Sequence, residues 1–100
     1  MYYLTQLIYL RPGGEAMFEE FEAVAIPLIE QYNGKLLFRV RPGEGSFIAV
    51  DGEKPYEIHL IEFPSKDDFI RFGQNPERAR LLHLKEQSVE KALLFEGKLL

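Results

Sequence analysis

Apolar and polar residues change rhythm along this chain, and the changes predict its elements. Tyr2–Leu10 is packed with aromatic and branched aliphatic residues and stops at Arg11-Pro12-Gly13-Gly14, which predicts a first strand. From Glu15 to Tyr32 the period lengthens. Met17, Phe18, Phe21, Val24, Ala25, Leu28, Ile29 and Tyr32 recur at three- and four-residue steps, the stripe of a helix laid on a core. Glu15, Glu19, Glu20 and Glu22 gather in its opening turns, where the helix dipole favours negative charge. Pro27 has no backbone N–H and predicts a kink; Asn33-Gly34 predicts a left-handed stop.

Lys35–Arg41 reads as the second strand. Pro42-Gly43-Glu44-Gly45 interrupts it, and Ser46–Val50 is expected to resume it after a bulge or loop. Asp51-Gly52-Glu53-Lys54 turns the chain into a third strand, Pro55–Phe63. Ser65 is placed to cap a helix, with Asp68 three residues on. That helix is expected to break near Gly73–Asn75, with Pro76 opening a segment that reaches about Ser88. Lys91–Leu99 completes the series as a strand. The order β-α-β-β-α-β predicts an α+β, ferredoxin-like sandwich: a four-stranded antiparallel sheet with two helices on one face.

The strand pattern also speaks about the other face. A sheet with one side in water shows a plainly polar side. Here Leu36, Phe38 and Val40 alternate with Leu37, Arg39 and Arg41, and Ile58 and Leu60 alternate with His59, Ile61 and Phe63. Neither side is polar throughout, yet two helices cover only one. A second copy's sheet is the expected cover, making a homodimer through the helix-free face.

Composition narrows the function classes. One hundred residues, 46% hydrophobic and 28% charged, are expected to form one domain over 1–100. The absence of Cys removes disulfides and thiolate metal sites and makes a cytoplasmic location the expectation. The opening MYYLTQLIYLRP lacks the charged leader and small-residue cleavage site of a signal peptide. No apolar run nears the roughly 20 residues that span a bilayer, so no membrane partner is expected. A net charge of −4 opposes nucleic acid, and the basic clusters Arg39/Arg41 and Arg71/Arg78/Arg80 are sparse.

His59 is the leading chemical candidate. It sits mid-strand among apolar residues, where burial and nearby carboxylates act on its proton, and it would suit a general base in a pocket. The plainer alternative is a buried His bonded to its neighbours. Arg39 and Arg41 share one side of their strand and are placed to reach His59 or Glu57. As ligand groups they would grip an anion; a cross-strand ion pair with Glu57 is the simpler reading and the one favoured here. His59 and Glu62 form H-x-x-E, but residues three apart on a strand face opposite ways. His83 and Glu86 repeat the spacing on a helix with no third ligand, so no metal is expected. Gly43-Glu44-Gly45-Ser46 precedes a strand-like run rather than a helix, which disqualifies it as a phosphate loop. It is expected to act as a turn, or as a flap over the barrel mouth. No Ser stands in a nucleophile elbow, and no cofactor is implied.

Y-N-G-K-L-L-F-R at Tyr32–Arg39, I-E-F-P-S at Ile61–Ser65 and N-P-E-R at Asn75–Arg78 together resemble a known family, the domain-of-unknown-function family 1330 of the dimeric α/β-barrel superfamily. The resemblance runs from Tyr3 to about Gly97 and implies ferredoxin-like protomers paired sheet to sheet. It implies no catalytic residues, since the family has no settled activity. Members often carry Arg near the start of the third strand, where this chain has Glu57, so a ligand inferred from that Arg does not carry over. Wider relatives include cofactor-free monooxygenases, haem-degrading enzymes and isomerases; the haem-degrading pattern typically involves a Trp, and there is none here.

Three functions follow as expectations. The first is binding of a small molecule within the homodimeric barrel. The second is cofactor-independent oxygenation or isomerisation of an aromatic or quinone-like compound, with His59 as base and Arg39 on an anionic oxygen. The third is a structural dimer without a ligand site. A cavity of about 300 Å³ or more beside His59 would favour the first two.

Overall fold

Strand β1 (Tyr2–Leu10) occupies the middle of a four-stranded antiparallel sheet of order β2-β3-β1-β4. A computed structural model describes residues Met1–Leu100. The remaining elements are α1 (Glu15–Gln31), β2 (Lys35–Val40), β3 (Glu57–Phe63), α2 (Lys66–Gly73), α3 (Pro76–Arg80), α4 (Leu82–Ser88) and β4 (Val89–Gly97). The expected ferredoxin-like, α+β architecture is therefore the one observed. The second helical layer is divided into three short helices rather than two segments, with Leu81 breaking α3 from α4.

The core lies between the helices and one side of the sheet. Leu4 and Ile8 of β1 and Ile61 and Phe63 of β3 meet Phe18, Phe21, Leu28 and Ile29 of α1, all buried. Phe63 is the centre of an aromatic group, with its ring 5.7 Å from those of Phe69 and Phe72. The family-like motifs sit at these joints. Asn33 takes the left-handed conformation at φ 65° and ends α1. Gly34 follows because nothing larger fits: a Cβ there would lie 2.5 Å from Phe63 Cε1 and 2.7 Å from Ile29 Cγ2. Ser65 caps α2, its Oγ accepting from the Asp68 N–H at 3.3 Å. Asn75 caps α3 by accepting from the Arg78 N–H at 3.1 Å, and its amide donates to the Tyr32 hydroxyl at 2.8 Å.

Three sequence expectations are corrected. Ser46–Val50 does not resume strand β2; a 3₁₀ turn at Glu44–Ser46 leads into irregular chain until β3 begins at Glu57, two residues after the expected start. The Gly- and Pro-rich interruption is long enough to end pairing rather than bulge it. Strand β4 begins at Val89 and ends at Gly97. Helix α1 continues as one element through Pro27, the expected kink position, which lies on its exposed side. The carbonyl that Pro27 leaves unpaired belongs to Ala23, also exposed and free to bond water. The last correction concerns facing. The β2–β3 register slips at Leu37, so Leu36 pairs with Ile61 while Phe38 pairs with Leu60. That bulge turns Leu36 towards the helices, away from Phe38 and Val40.

The helix-free face is apolar, as the alternation implied. Two rows cross all four strands in register: Val40, Ile58, Leu7, Leu93 and Phe38, Leu60, Thr5, Phe95. Within one chain Phe38 is 44% exposed and Phe95 51%, so these side chains stand in water unless something covers them.

Candidate functional site

Alternation along β3 sends Glu57, His59, Ile61 and Phe63 towards the helices, and all four are buried. Glu57 is fully buried, a position a carboxylate holds only with strong partners. It has three. Arg39 Nε donates to it at 2.8 Å, Arg41 Nη2 at 2.6 Å, and His59 Nε2 bonds its Oε2. Both arginines also reach Glu19 of α1, Arg39 Nη2 at 3.3 Å. Burial pushes the Glu57 carboxyl up, but the hydrogen bonds from His59, Arg39 and Arg41 outweigh it and hold the carboxyl at about 2. Arg41 also lies over the Tyr56 ring, 4.6 Å from its centroid.

The four sequence candidates are thus gathered into one cluster, and the pairing of Arg39 and Arg41 with Glu57 is the ion pair that the strand pattern favours. Their charges answer one another. Only His59 among them lines the cavity described next. His59 and Glu62 face opposite sides, as the strand geometry requires; Glu62 pairs with Lys35 and Tyr3.

Under α1 lies a cavity of about 100 Å³, walled by the sheet, α1 and the three short helices. Its floor includes Gln6, His59 and Leu94, which form one cross-strand row with Arg39. Its volume falls below the ~300 Å³ that would have favoured a ligand-binding or enzymatic function, so cavity size by itself favours neither. A wider, open groove of about 520 Å³ lies elsewhere, between the Arg11-Pro12 turn, Tyr56 and the Pro42–Lys54 connection.

Three charged residues that the sequence does not single out as site residues line the cavity: Glu22 of α1, Arg78 of α3 and Lys85 of α4. The sequence groups Glu22 with the acids of the helix opening, yet it is buried, and its carboxyl has no hydrogen-bond partner in the chain. Burial raises its proton affinity above the ordinary carboxyl range, against the pull of His59. Arg78 is wedged against two rings, its guanidinium carbon 5.7 Å from the Phe21 centroid and 5.4 Å from that of Phe72. Its Nε is buried without an acceptor. Burial pulls both Arg78 and Lys85 below their usual values. Neither forms an ion pair. The signal for Glu22 is present in the sequence: it falls four residues after Phe18 and three before Ala25, inside the apolar stripe. Arg78 and Lys85 carry no such mark.

Fold and site together describe a ferredoxin-like domain with a small polar-headed cavity between its layers. The chain belongs to the family described as a domain of unknown function, DUF1330, whose model matches residues 7–97. A comparison with curated proteins finds no match. Among solved structures, a protein of unknown function from Rhodopseudomonas palustris is 20% identical, with a TM-score of 0.85 over 99% of this chain and 82% of its own. A protein from Bacteroides fragilis described as dimeric, of unknown function and ferredoxin-like fold, is 13% identical with a TM-score of 0.70, covering 98% of this chain and 95% of its own. A Dabb family protein with a ferredoxin-like fold from Mesorhizobium loti is 16% identical with a TM-score of 0.68, over 99% and 96%. At these identities the likeness is one of fold. No helix is long and apolar enough to cross a membrane.

Proposed function

We propose that this chain is a small-molecule-binding domain that works as a homodimer paired through its helix-free sheet face. The observation that carries the binding reading is the cavity beside His59, where the Arg78 Nε–H is buried without an acceptor and Glu22 has no hydrogen-bond partner in the chain. A buried polar group left unmade costs about 1–3 kcal/mol, which an occupant with a matching group would relieve. The cavity's size restricts that occupant to a molecule smaller than benzene, which needs about 150 Å³. The dimer reading rests on the two apolar rows across the sheet and on the dimeric state described for the Bacteroides fragilis neighbour. Exposed contiguous apolar surface of this kind marks an interaction site.

The oxygenase or isomerase alternative with His59 as base draws support from His59 lining the cavity. It draws none from Arg39, whose guanidinium is engaged by Glu57 and Glu19. Binding therefore stands ahead of catalysis, and His59 takes the role of a wall held in one orientation by Glu57.

Two measurements test the reading. Sedimentation equilibrium at micromolar concentration should report a dimer, and Leu93→Asp, which puts a charge on the β4 edge of the apolar face, should give a folded monomer. A monomeric wild-type chain would remove the dimer. An NMR screen of small acids, amides and alcohols should shift amides confined to the cavity walls. A screen in which no compound does so would leave the structural-dimer function standing instead.

A further inference from the structure

Arg78 and Glu22 present an unusual pair. One is a guanidinium packed against Phe21 and Phe72 whose Nε–H is buried and unaccepted, while its Nη1 donates to the Gly73 carbonyl at 3.5 Å on the exposed side. The other is a carboxyl on a residue only 7% exposed, with no donor or acceptor answering it. Both line the same cavity, and Lys85, which has no carboxylate partner, lines it too. Arg78 and Glu22 do not pair with each other, although such a pair would be the simplest way to settle both charges. Elsewhere in this molecule that is what happens: Glu57 is saturated by Arg39, Arg41 and His59. Charged donors without acceptors are costly inside a protein unless an occupant supplies one.

We propose that the cavity is a binding site for a small carboxylate of about four or five non-hydrogen atoms, whose oxygens accept from Arg78 and Lys85 and one of which also accepts from Glu22 in its protonated form. The assignment rests on the small-molecule reading above and adds the chemical class of the ligand. A planar carboxylate matches the guanidinium fork, and the Phe21 and Phe72 rings pack against the guanidinium carbon of Arg78. The apolar wall opposite, with Leu4 and Ile61, suits a short hydrocarbon tail. Glu22 is surrounded by His59 and Glu57 from β3, Arg39 from β2, Arg78 from α3 and Lys85 from α4. Burial raises its proton affinity, so it can be a donor where an ordinary surface carboxylate would repel the ligand. Binding of the anion is then coupled to the Glu22 proton and weakens as pH rises through the Glu22 titration.

The test uses propionate and its neutral isostere propionamide, followed by NMR at the Arg78 Nε–H and the backbone amides of the cavity walls. Propionate should bind at least about tenfold more tightly than propionamide at pH 5.5, and less tightly at pH 7.5. Arg78→Met should bring propionate down to the propionamide level while leaving propionamide unchanged. Should that variant fail to fold, Lys85→Met gives the same comparison from the other cation. Glu22→Gln keeps a hydrogen-bond donor and should retain propionate binding with most of its pH dependence gone. Equal binding of the two probes would overturn the carboxylate assignment and leave a small-molecule cavity in place. Neither probe shifting the cavity amides would overturn both. Unchanged propionate affinity in Arg78→Met and Lys85→Met would overturn the assigned residues, and an unaltered pH slope in Glu22→Gln would overturn the role of that carboxyl.

Discussion

Replacing Glu57 with Gln keeps the side chain's shape and removes the charge that Arg39, Arg41 and His59 surround. The native carboxyl titrates at about 2 against an ordinary value of 4.5. At about 1.4 kcal/mol for each tenfold difference in proton affinity, ionised Glu57 contributes about 3 kcal/mol at neutral pH. Glu57 itself has no exposed surface, but its partners Arg39 and Arg41 are partly exposed, so water screens part of the interaction and about 3 kcal/mol is its upper value. The sign follows from the direction of the shift. The unfolded chain binds the proton more readily, so the stabilisation is complete well above 4.5 and is lost as pH falls towards 2. By pH 3, about 2 of the 3 kcal/mol should be gone. Urea unfolding of wild type and Glu57→Gln at pH 7, 5 and 3, read by circular dichroism, tests this. The variant should be less stable by up to about 3 kcal/mol at pH 7, with the gap closing to about 1 kcal/mol at pH 3. Other acids titrate in both proteins and cancel in the difference. A gap that stays constant with pH would refute the reasoning, because the loss would then reflect shape or hydrogen-bond geometry rather than the buried charge.

The remaining predictions concern the joints of the fold. Gly34→Ala drives a methyl against the Phe63 ring and Ile29, and thermal unfolding should show a loss of about 1–3 kcal/mol. An unchanged melting temperature would mean that the ring moves aside freely. Ser65→Ala removes the cap of α2 and should cost about 1 kcal/mol, with amide exchange quickening first at Asp68. Phe18→Ala, at a fully buried position whose ring meets Tyr56 edge-on at 5.9 Å, should cost about 3–5 kcal/mol by chemical denaturation. A cost near 1 kcal/mol there would show that the helix–sheet interface collapses around the gap.

Much of the fold is legible in the amino-acid sequence because its signals are local. The stripe from Met17 to Ile29, the Asn33-Gly34 stop, the Ser65 cap and Pro76 each act within one or two helical turns. The candidate cluster is half legible for the same reason: alternation puts Arg39 with Arg41 on one side of their strand and Glu57 with His59 on one side of theirs, while the β2–β3 register that joins the two pairs is tertiary. Both apolar sides of the sheet can likewise be read off residue by residue. Tertiary structure decides what depends on distant segments meeting. The bulge at Leu37 is a matter of register between β2 and β3, and it assigns Leu36 to the helix-facing side. The chain from Ser46 to Val50 has strand composition but no neighbour to pair with, so composition could not make it a strand. The cavity is the clearest case. Glu22, Arg78 and Lys85 come from three helices, and only the packing of those helices over the sheet brings them to one space and leaves the Arg78 Nε–H without an acceptor. Periodicity tells which side of a helix is buried; what a buried charge meets there is settled by the elements folded against it.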